Sequence, residues 1–407
     1  MPSARIYYHH YAPDDNVSAR HFTDLAEGLT QRGWDVTVCP SNRGYPDETK
    51  TFAAHQVLHR VDIRRVWRPR FPQARNIGRI ANAAWMTLAW GTQAISVRRN
   101  RPDVILIGTD PILSVLAVIP WKFTRPGVQV AHWGFDIYPE AAIAEDMLRA
   151  YSPLVRVIRA SLRLAYRCCD LIADIGPCMR ELLATYGSPA RVATLTPWAL
   201  VEPAQPTTPD PIVRRELFGD AKLGLLYSGT FGRAHSYDEL LALARSLRGE
   251  PIAFCFAGRG NRADQLKKAV TSEDTNIRFA GFAAEAELEK RLGAADIHLA
   301  SLQPAWTGTV VPSKFFGSLA IGRPVVFAGS VDAAIARWIQ QYDLGWLLQP
   351  STLETTAAAL RDLAQSPDKV RTIQARCHRV YQEQFSREHV INGWDHELRA
   401  ILAARRS

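Results

Sequence analysis

The 407-residue chain is predicted to be an α/β protein with two doubly wound, Rossmann-like parallel sheets, and three observations predict it. Short β-branched runs alternate with helical stretches in both halves. A proline-rich stretch with almost no apolar content lies between the halves. The length exceeds that of one ordinary domain, while 47% hydrophobic and 22% charged residues is an ordinary globular composition.

In the first half the strands are expected at Arg5–Tyr8, Asp35–Cys39, Val104–Gly108, Val128–His132 and Leu171–Asp174. In the second half they are expected at Leu223–Ser228, Ile252–Ala257, Ile277–Ala280, Ile297–Ser301 and Pro324–Phe327. Helical spacing points to helices over Ala19–Gln31, Asn76–Arg98, Tyr237–Leu247, Arg262–Ser272, Glu285–Leu292, Leu353–Ala364 and Asp368–Gln382. Four prolines fall in the eleven residues from Val201 to Pro211, the composition of a linker. The expected division is residues 1–200, a linker over 201–211, and residues 212–385. In the last stretch, Ser386–Arg405, Val390, Ile391, Trp394, Leu398 and Ile401 recur at helical spacing.

No run approaches the roughly 18 to 20 apolar residues that span a bilayer. The N-terminus enters a strand-like run at once and lacks a signal-peptide layout, so a cytoplasmic protein is expected. Cys39, Cys168, Cys169, Cys178, Cys255 and Cys377 lie mostly in apolar runs without a C-x-x-C, which favours buried free thiols over disulfides or zinc. The formal charge is +9 and is uneven. Between Arg60 and Arg79 stand Arg60, Arg64, Arg65, Arg68, Arg70, Arg75 and Arg79 against one acid, Asp62, with Trp67 and Phe71 among them. Such a segment suits an anionic partner such as phospholipid headgroups at the inner face of a membrane or a diphosphate, or is a solvated basic face. In Pro153–Cys169, Arg156, Arg159, Arg163 and Arg167 share a helix face opposite aliphatic residues, which suits either a membrane surface or packing on the chain's own sheet. No nucleic-acid partner is expected.

The chemistry-bearing signals cluster in the second half. Tyr227-Ser-Gly-Thr-Phe-Gly-Arg-Ala-His235 follows a strand directly. Gly229, Thr230 and Gly232 let backbone N–H groups approach a phosphate, and Arg233 and His235 add polar partners. Gly258 and Arg259 end the next strand in the same way. In the loop Thr309-Val310-Val311-Pro312-Ser313, Pro312 and Ser313 mark a helix start beside Lys314, an arrangement suited to an anion.

The run Pro312-Ser-Lys-Phe-Phe-Gly-Ser-Leu-Ala-Ile-Gly-Arg-Pro324 and the Gly229–His235 turn resemble bacterial glycosyltransferase family 4. The resemblance continues through Tyr11–His21, Arg32–Val38, Gly108–Leu113, His132–Glu140 and Leu195–Trp198, and so covers almost the whole chain. It implies a GT-B fold, two Rossmann-like domains facing each other across a cleft, with the terminal segment 386–407 returning to the first domain. It also implies a retaining transfer from a nucleotide-sugar donor, with a lipid-linked or saccharide acceptor in exopolysaccharide or lipopolysaccharide synthesis. No cofactor and no metal are implied beyond the nucleotide sugar as co-substrate, and the sequence has no Asp-x-Asp. Asp136 and His132 are the catalytic candidates, where a group would orient the acceptor hydroxyl or stabilise the sugar cation. The chain departs from the family at Thr309 and Gly317, where glutamates usually reach the donor sugar and the ribose, and near Asp238, where a lysine is usual. Two further readings share the architecture: a sugar-nucleotide 2-epimerase, and a non-catalytic partner protein.

Overall fold

The structure, a computed structural model, describes residues 1–14, 16–45, 47–71, 76–96, 101–187 and 191–404. Asp15, Arg75, Arg98 and Arg405, which fell within expected motifs or helices, lie outside the described residues. The chain divides into two compact units, Met1–Thr196 with Val390–Ser407, and Pro197–His389.

The first unit is built on β1 (Ser3–Tyr7), β2 (Asp35–Val38), β3 (His55–Leu58), β4 (Val61–Arg64), β5 (Val104–Gly108), β6 (Gln129–Trp133), β7 (Leu171–Asp174) and β8 (Arg191–Thr194). Their order across the sheet is β3-β4-β2-β1-β5-β6-β7-β8, and every pairing is parallel except β3 with β4. The central strands β5 and β6 are buried along their whole length, as a sheet covered on both faces requires. The helix Val17–Gln31 is capped by Asn16, whose side chain accepts from Ser18 N, and it buries Ala19, Phe22, Leu25, Ala26 and Leu29.

The hairpin β3–β4 was not expected from the sequence. His59 and Arg60 form its two-residue turn, with φ of 47° and 68°. Both turn residues take left-handed backbone without a glycine to signal it. The hairpin also corrects the picture of a basic strip over Arg60–Arg79. Arg64 pairs with Asp62 at 2.8 Å, and Arg65 donates to Ala12 O at 2.7 Å. Arg68 is buried, bound to Glu48 at 2.8 Å and Ser41 at 2.9 Å. Only Arg60, Arg64, Arg70 and Arg79 among the described arginines of this segment are exposed.

From Val390 the helix Arg387–Ala404 belongs to the first unit, and Val390, Ile391, Trp394, Leu398 and Ile401 are its buried face. Trp394 meets Trp133 edge-on at 5.2 Å, and Trp34 Nε1 donates to Asp395 at 2.6 Å. The helix Pro153–Arg167 packs through Val155, Leu162, Ala165 and Tyr166 but leaves Leu154, Val157 and Leu164 exposed beside Arg156 and Arg163. Arg159 is tied to Glu140 at 3.0 Å.

The second unit holds β9 (Leu223–Thr230), β10 (Ile252–Arg259), β11 (Ile277–Ala280), β12 (Ile297–Ser301), β13 (Val325–Ala328) and β14 (Gly345–Leu348), all parallel, in the order β11-β10-β9-β12-β13-β14. Leu223, Leu225 and Tyr227 of β9 meet Leu240, Leu243, Phe254 and Phe256 in its core. The stretch read as a linker is packed onto this unit. Arg323, 1% exposed, donates to the carbonyl oxygens of Ala295 at 2.5 Å, Gly293 at 2.6 Å and Ile321 at 3.0 Å, and reaches Thr207 O at 2.6 Å. Burial lowers the Arg323 pKa to about 10, still charged at neutral pH. From Pro211 the chain is helical to Phe218, capped by Asp210, which accepts from Ile212 N and Val213 N.

All six cysteines are buried and free. Among the described residues no helix is long and apolar enough to cross a membrane. Arg323→Met leaves several buried carbonyls without a donor and should destabilise the second unit by about 3 kcal/mol. Urea unfolding followed by tryptophan fluorescence checks this, and an unchanged midpoint would contradict the anchoring role.

Candidate functional site

In a parallel α/β sheet, ligands gather beyond the carboxyl ends of the strands, because the loops and helix starts there present unpaired N–H groups. The two signals read from the second half meet at that edge of the second unit. Lys314, the first residue of the helix Lys314–Ala320, extends its ammonium to the turn after β9. Nζ donates to Tyr227 Oη at 2.9 Å, to Thr230 O at 3.1 Å and to His235 Nε2 at 3.5 Å. It also lies 4.5 Å from the centre of the Tyr227 ring. His235 Nδ1 sits 2.5 Å from Ser301 O, a pure acceptor, so Nδ1 carries the proton and Nε2 is left to accept from Lys314. Burial, reinforced by the lysine charge, holds His235 down to about 3, so it is neutral. Burial alone lowers Lys314 to about 7. An ammonium with no carboxylate paired to it among the described residues is electrostatically unfinished.

The turn is shaped around this contact. Phe231 stacks on Tyr227 at 4.0 Å, and its N–H donates to Arg259 O at 2.8 Å. A Cβ on Gly258 would stand 2.6 Å from Gly229 O, so this glycine is needed for the close approach of the loops after β9 and β10. Gly229 has φ of 113°, the left-handed side of the map, and a Cβ there would meet nothing nearer than Lys314 Cε at 3.8 Å. Gly232 is similarly open. Arg233 is exposed at the rim, and Arg259 lies over the Phe282 ring at 4.4 Å.

The second loop divides its roles. Thr309 is 3% exposed and its hydroxyl donates to Trp306 O at 2.8 Å, so its observed work is closing its own turn. Val311 is buried and Val310 half-buried, while Ser313 is exposed at the helix start without a side-chain cap bond. At Gly317 an added Cβ would meet nothing within 4 Å, so the position opens onto free space. Sequence reading did not single out Tyr227 or Gln303 as site residues. Gln303 Nε2 donates to His235 O at 3.1 Å, and its N–H to Ala234 O at 2.8 Å, fixing the segment that carries His235. A tyrosine ending an apolar strand reads as core, and nothing in the sequence marks its hydroxyl as a lysine partner.

In the first unit, His132 and Asp136 line one small depression with Thr109, Ser114, Tyr138 and Tyr166. His132 is 1% exposed and donates from Nδ1 to Ile107 O at 3.0 Å. Its Nε2 is buried without a hydrogen-bond partner in the depression wall. Burial lowers His132 to about 4, so Nε2 is an acceptor at neutral pH. Asp136 faces solvent at the rim, yet the surrounding protein and then the Asp110 charge raise it to about 6. Asp110 itself stands with His9 and His10 at the ends of β1 and β5, a grouping that sequence reading did not find.

Residues 18–198 match the family described as "Glycosyl transferase 4-like domain", and residues 222–366 that described as "Glycosyl transferases group 1". Two Rossmann-like units with a cationic, glycine-lined strand edge are thus those of a glycosyltransferase of the GT-B fold. The two halves of the chain belong to the glycosyltransferase families that those descriptions name. Over 275 residues it is 25% identical to a Pseudomonas aeruginosa protein carrying the name glycosyltransferase WbjE, covering 67% of this chain and 68% of that one. Over 417 residues it is 20% identical to an Escherichia coli (strain K12) protein named as the colanic acid biosynthesis glycosyl transferase WcaI, covering 97% and 99%.

Solved structures share the fold. Sucrose-phosphate synthase from Thermosynechococcus elongatus superposes with a TM-score of 0.71 at 15% identity, covering 99% of this chain and 100% of that one. WaaG, a glycosyltransferase involved in lipopolysaccharide biosynthesis, does so at 0.62 and 16% identity, covering 97% and 99%. Anabaena HepE, in complex with UDP and glucose, does so at 0.63 and 12% identity, covering 98% and 100%.

Proposed function

We propose that this glycosyltransferase moves a sugar from a nucleoside-diphosphate sugar, with retention, onto a lipid-linked or saccharide acceptor during assembly of a bacterial surface polysaccharide. The observation that carries the donor side is the Lys314 ammonium held over the open Gly229–Gly232 turn without an acidic partner among the described residues. The diphosphate of the donor supplies the missing charge, joined by Arg233 at the rim and by backbone N–H groups. In this reading the bond from the anomeric carbon to the diphosphate oxygen breaks, and the acceptor oxygen bonds on the same face. The acceptor proton leaves on the departing phosphate, and the donor side uses no metal or cofactor. WcaI is named for colanic acid biosynthesis and WaaG is a glycosyltransferase involved in lipopolysaccharide biosynthesis, which supports the surface-polysaccharide assignment. Both relatives are named as transferases, and no observation favours epimerisation or a non-catalytic role.

On the acceptor side, ionised Asp136 orients the hydroxyl and steadies the sugar cation, while His132 Nε2 accepts from the sugar. The test is a panel of nucleotide sugars with saccharide acceptors, scored for product and released nucleotide. A donor that turns over only with acceptor supports transfer; turnover of none contradicts it. Asp136 titrates at about 6, so transfer should fall as pH drops below that value. Asp136→Asn should cost about 100-fold in kcat and remove this acid limb. Retention of both would take Asp136 out of the reaction.

The cytoplasmic inner face of a membrane is the proposed place of work, approached through the exposed part of the Arg60–Arg79 segment together with an apolar helix face beside it. On the helix Asn76–Ser96, Ile77, Ile80 and Leu88 are 82%, 61% and 69% exposed. Exposed Trp67 packs edge-on against Trp85 at 5.5 Å nearby, with Arg70 and Arg79 in solvent. Apolar and indole side chains flanked by arginines suit an anionic bilayer interface. Co-sedimentation with vesicles containing phosphatidylglycerol should fall several-fold in the Ile77→Ser, Ile80→Ser double variant, and equal binding would refute this surface.

A further inference from the structure

We infer that His9, His10 and Asp110 form a binding site for one divalent transition-metal ion of the zinc–cobalt–manganese class. The three residues stand just beyond the carboxyl ends of β1 and β5, adjacent strands of the first unit. They can each offer one ligand atom, and those atoms lie within 4.8 Å of one another. His9 Nδ1 is 3.6 Å from Asp110 Oδ1, and His10 Nε2 is 3.6 Å from Asp110 Oδ2. These gaps are longer than hydrogen bonds and match the spacing of two donors each about 2.1 Å from a shared metal. The two imidazole rings lie 4.0 Å apart at their centres and are tilted, so their nitrogens converge on one carboxylate.

The second observation is the set of groups behind the ligands. A metal-bound imidazole hands the proton on its other nitrogen to an outer acceptor, which fixes the ring. Each histidine has a group placed for this, although His10 Nδ1 makes no hydrogen bond to its neighbour here. His10 Nδ1 faces Asp14 Oδ2 at 3.4 Å, leaving Nε2 for the metal. His9 Nε2 faces the side-chain amide of Asn82 at 3.1 Å, and the Asn82 Oδ1 of that amide is buried with no partner among the described residues. Turning the amide by half a rotation presents this oxygen to a proton on His9 Nε2 and frees Nδ1 to ligate. His9, His10 and Asn82 are 3%, 5% and 2% exposed, so the rings are fixed by packing. The Asp110 side chain is 38% exposed, which leaves a coordination position open to solvent or substrate.

Two imidazoles and one carboxylate select this class of ion, since magnesium and calcium prefer shells made of oxygen alone. The nearby cation Arg68 is neutralised by its own ion pair with Glu48 at 2.8 Å. The site uses none of the donor-loop residues of the second unit and does not depend on the transfer reaction proposed above.

The test is a titration of the tag-free, chelator-stripped full chain with cobalt(II), read by visible d–d absorption and by calorimetry, followed by displacement with zinc(II). One saturable equivalent is expected, with a rise in melting temperature. His10→Gln and Asp110→Asn should abolish the band, and Asn82→Ala should weaken binding by about 10- to 100-fold while leaving the fold intact. Far-UV circular dichroism and melting of each variant distinguish lost ligands from lost fold. A native chain with no saturable equivalent, or folded variants that bind as the native chain does, would overturn the site.

Discussion

The geometry of the donor edge depends on one half-buried cation meeting neutral partners. Lys314 reaches from the start of its helix to Tyr227, Thr230 and His235, and so fixes the loop after β9 against the loop after β12. Among the described residues no carboxylate pairs with it, and burial lowers the ammonium to about 7. Such a group lowers its free energy when an anion arrives. The neutral tautomer of His235, set by Ser301 O, is part of the same arrangement, because a protonated imidazole would repel the lysine. Gly258 lets the neighbouring loop close on Gly229 O, so the cation, the turn and the loop after β10 form one unit.

The same logic of satisfied but uncompensated charge recurs where Arg323 gathers carbonyl oxygens from separate segments of the second unit. Carbonyl dipoles hold the guanidinium as a structural tie, whereas lysine with a single flexible stem, facing an open glycine turn, retains capacity for a ligand. At the strand ends of the first unit the arrangement is the opposite. His132 is kept neutral by burial, Asp110 keeps its charge near His9 and His10, and Asp136 is raised by enclosure and by that charge. Proton affinities are therefore spread apart within a few residues, which is the usual condition for dividing acid, base and ligand roles.

The central strands were legible because β5 and the first five residues of β9 are apolar runs that burial on both faces demands. Strands at or next to the sheet edges were not: β3, β4 and β8 are short and partly exposed, and His59 and Arg60 turn without glycine or asparagine. The arginine-rich segment looked like one surface, yet Arg65 and Arg68 point inward to partners distant in sequence. The prolines of 201–211 suggested a free linker, whereas Thr207 is held by a guanidinium more than a hundred residues away. Glycines and Lys314 were legible as a phosphate-type edge, but the tyrosine and histidine that position the lysine depend on contacts across strands. His9 and His10 gain their significance only when β5 brings Asp110 beside them.

The central claim is that Lys314 is a desolvated base completed by the donor diphosphate. Above pH 7 the free lysine is largely neutral, so binding a dianion must draw in a proton as the ammonium reforms. Calorimetry of nucleoside-diphosphate binding at about pH 8, in buffers of different ionisation enthalpy, measures that proton directly. The account predicts uptake of most of one proton by the native chain and its loss in Lys314→Met. Binding without proton uptake, or with the same uptake in both proteins, would contradict it.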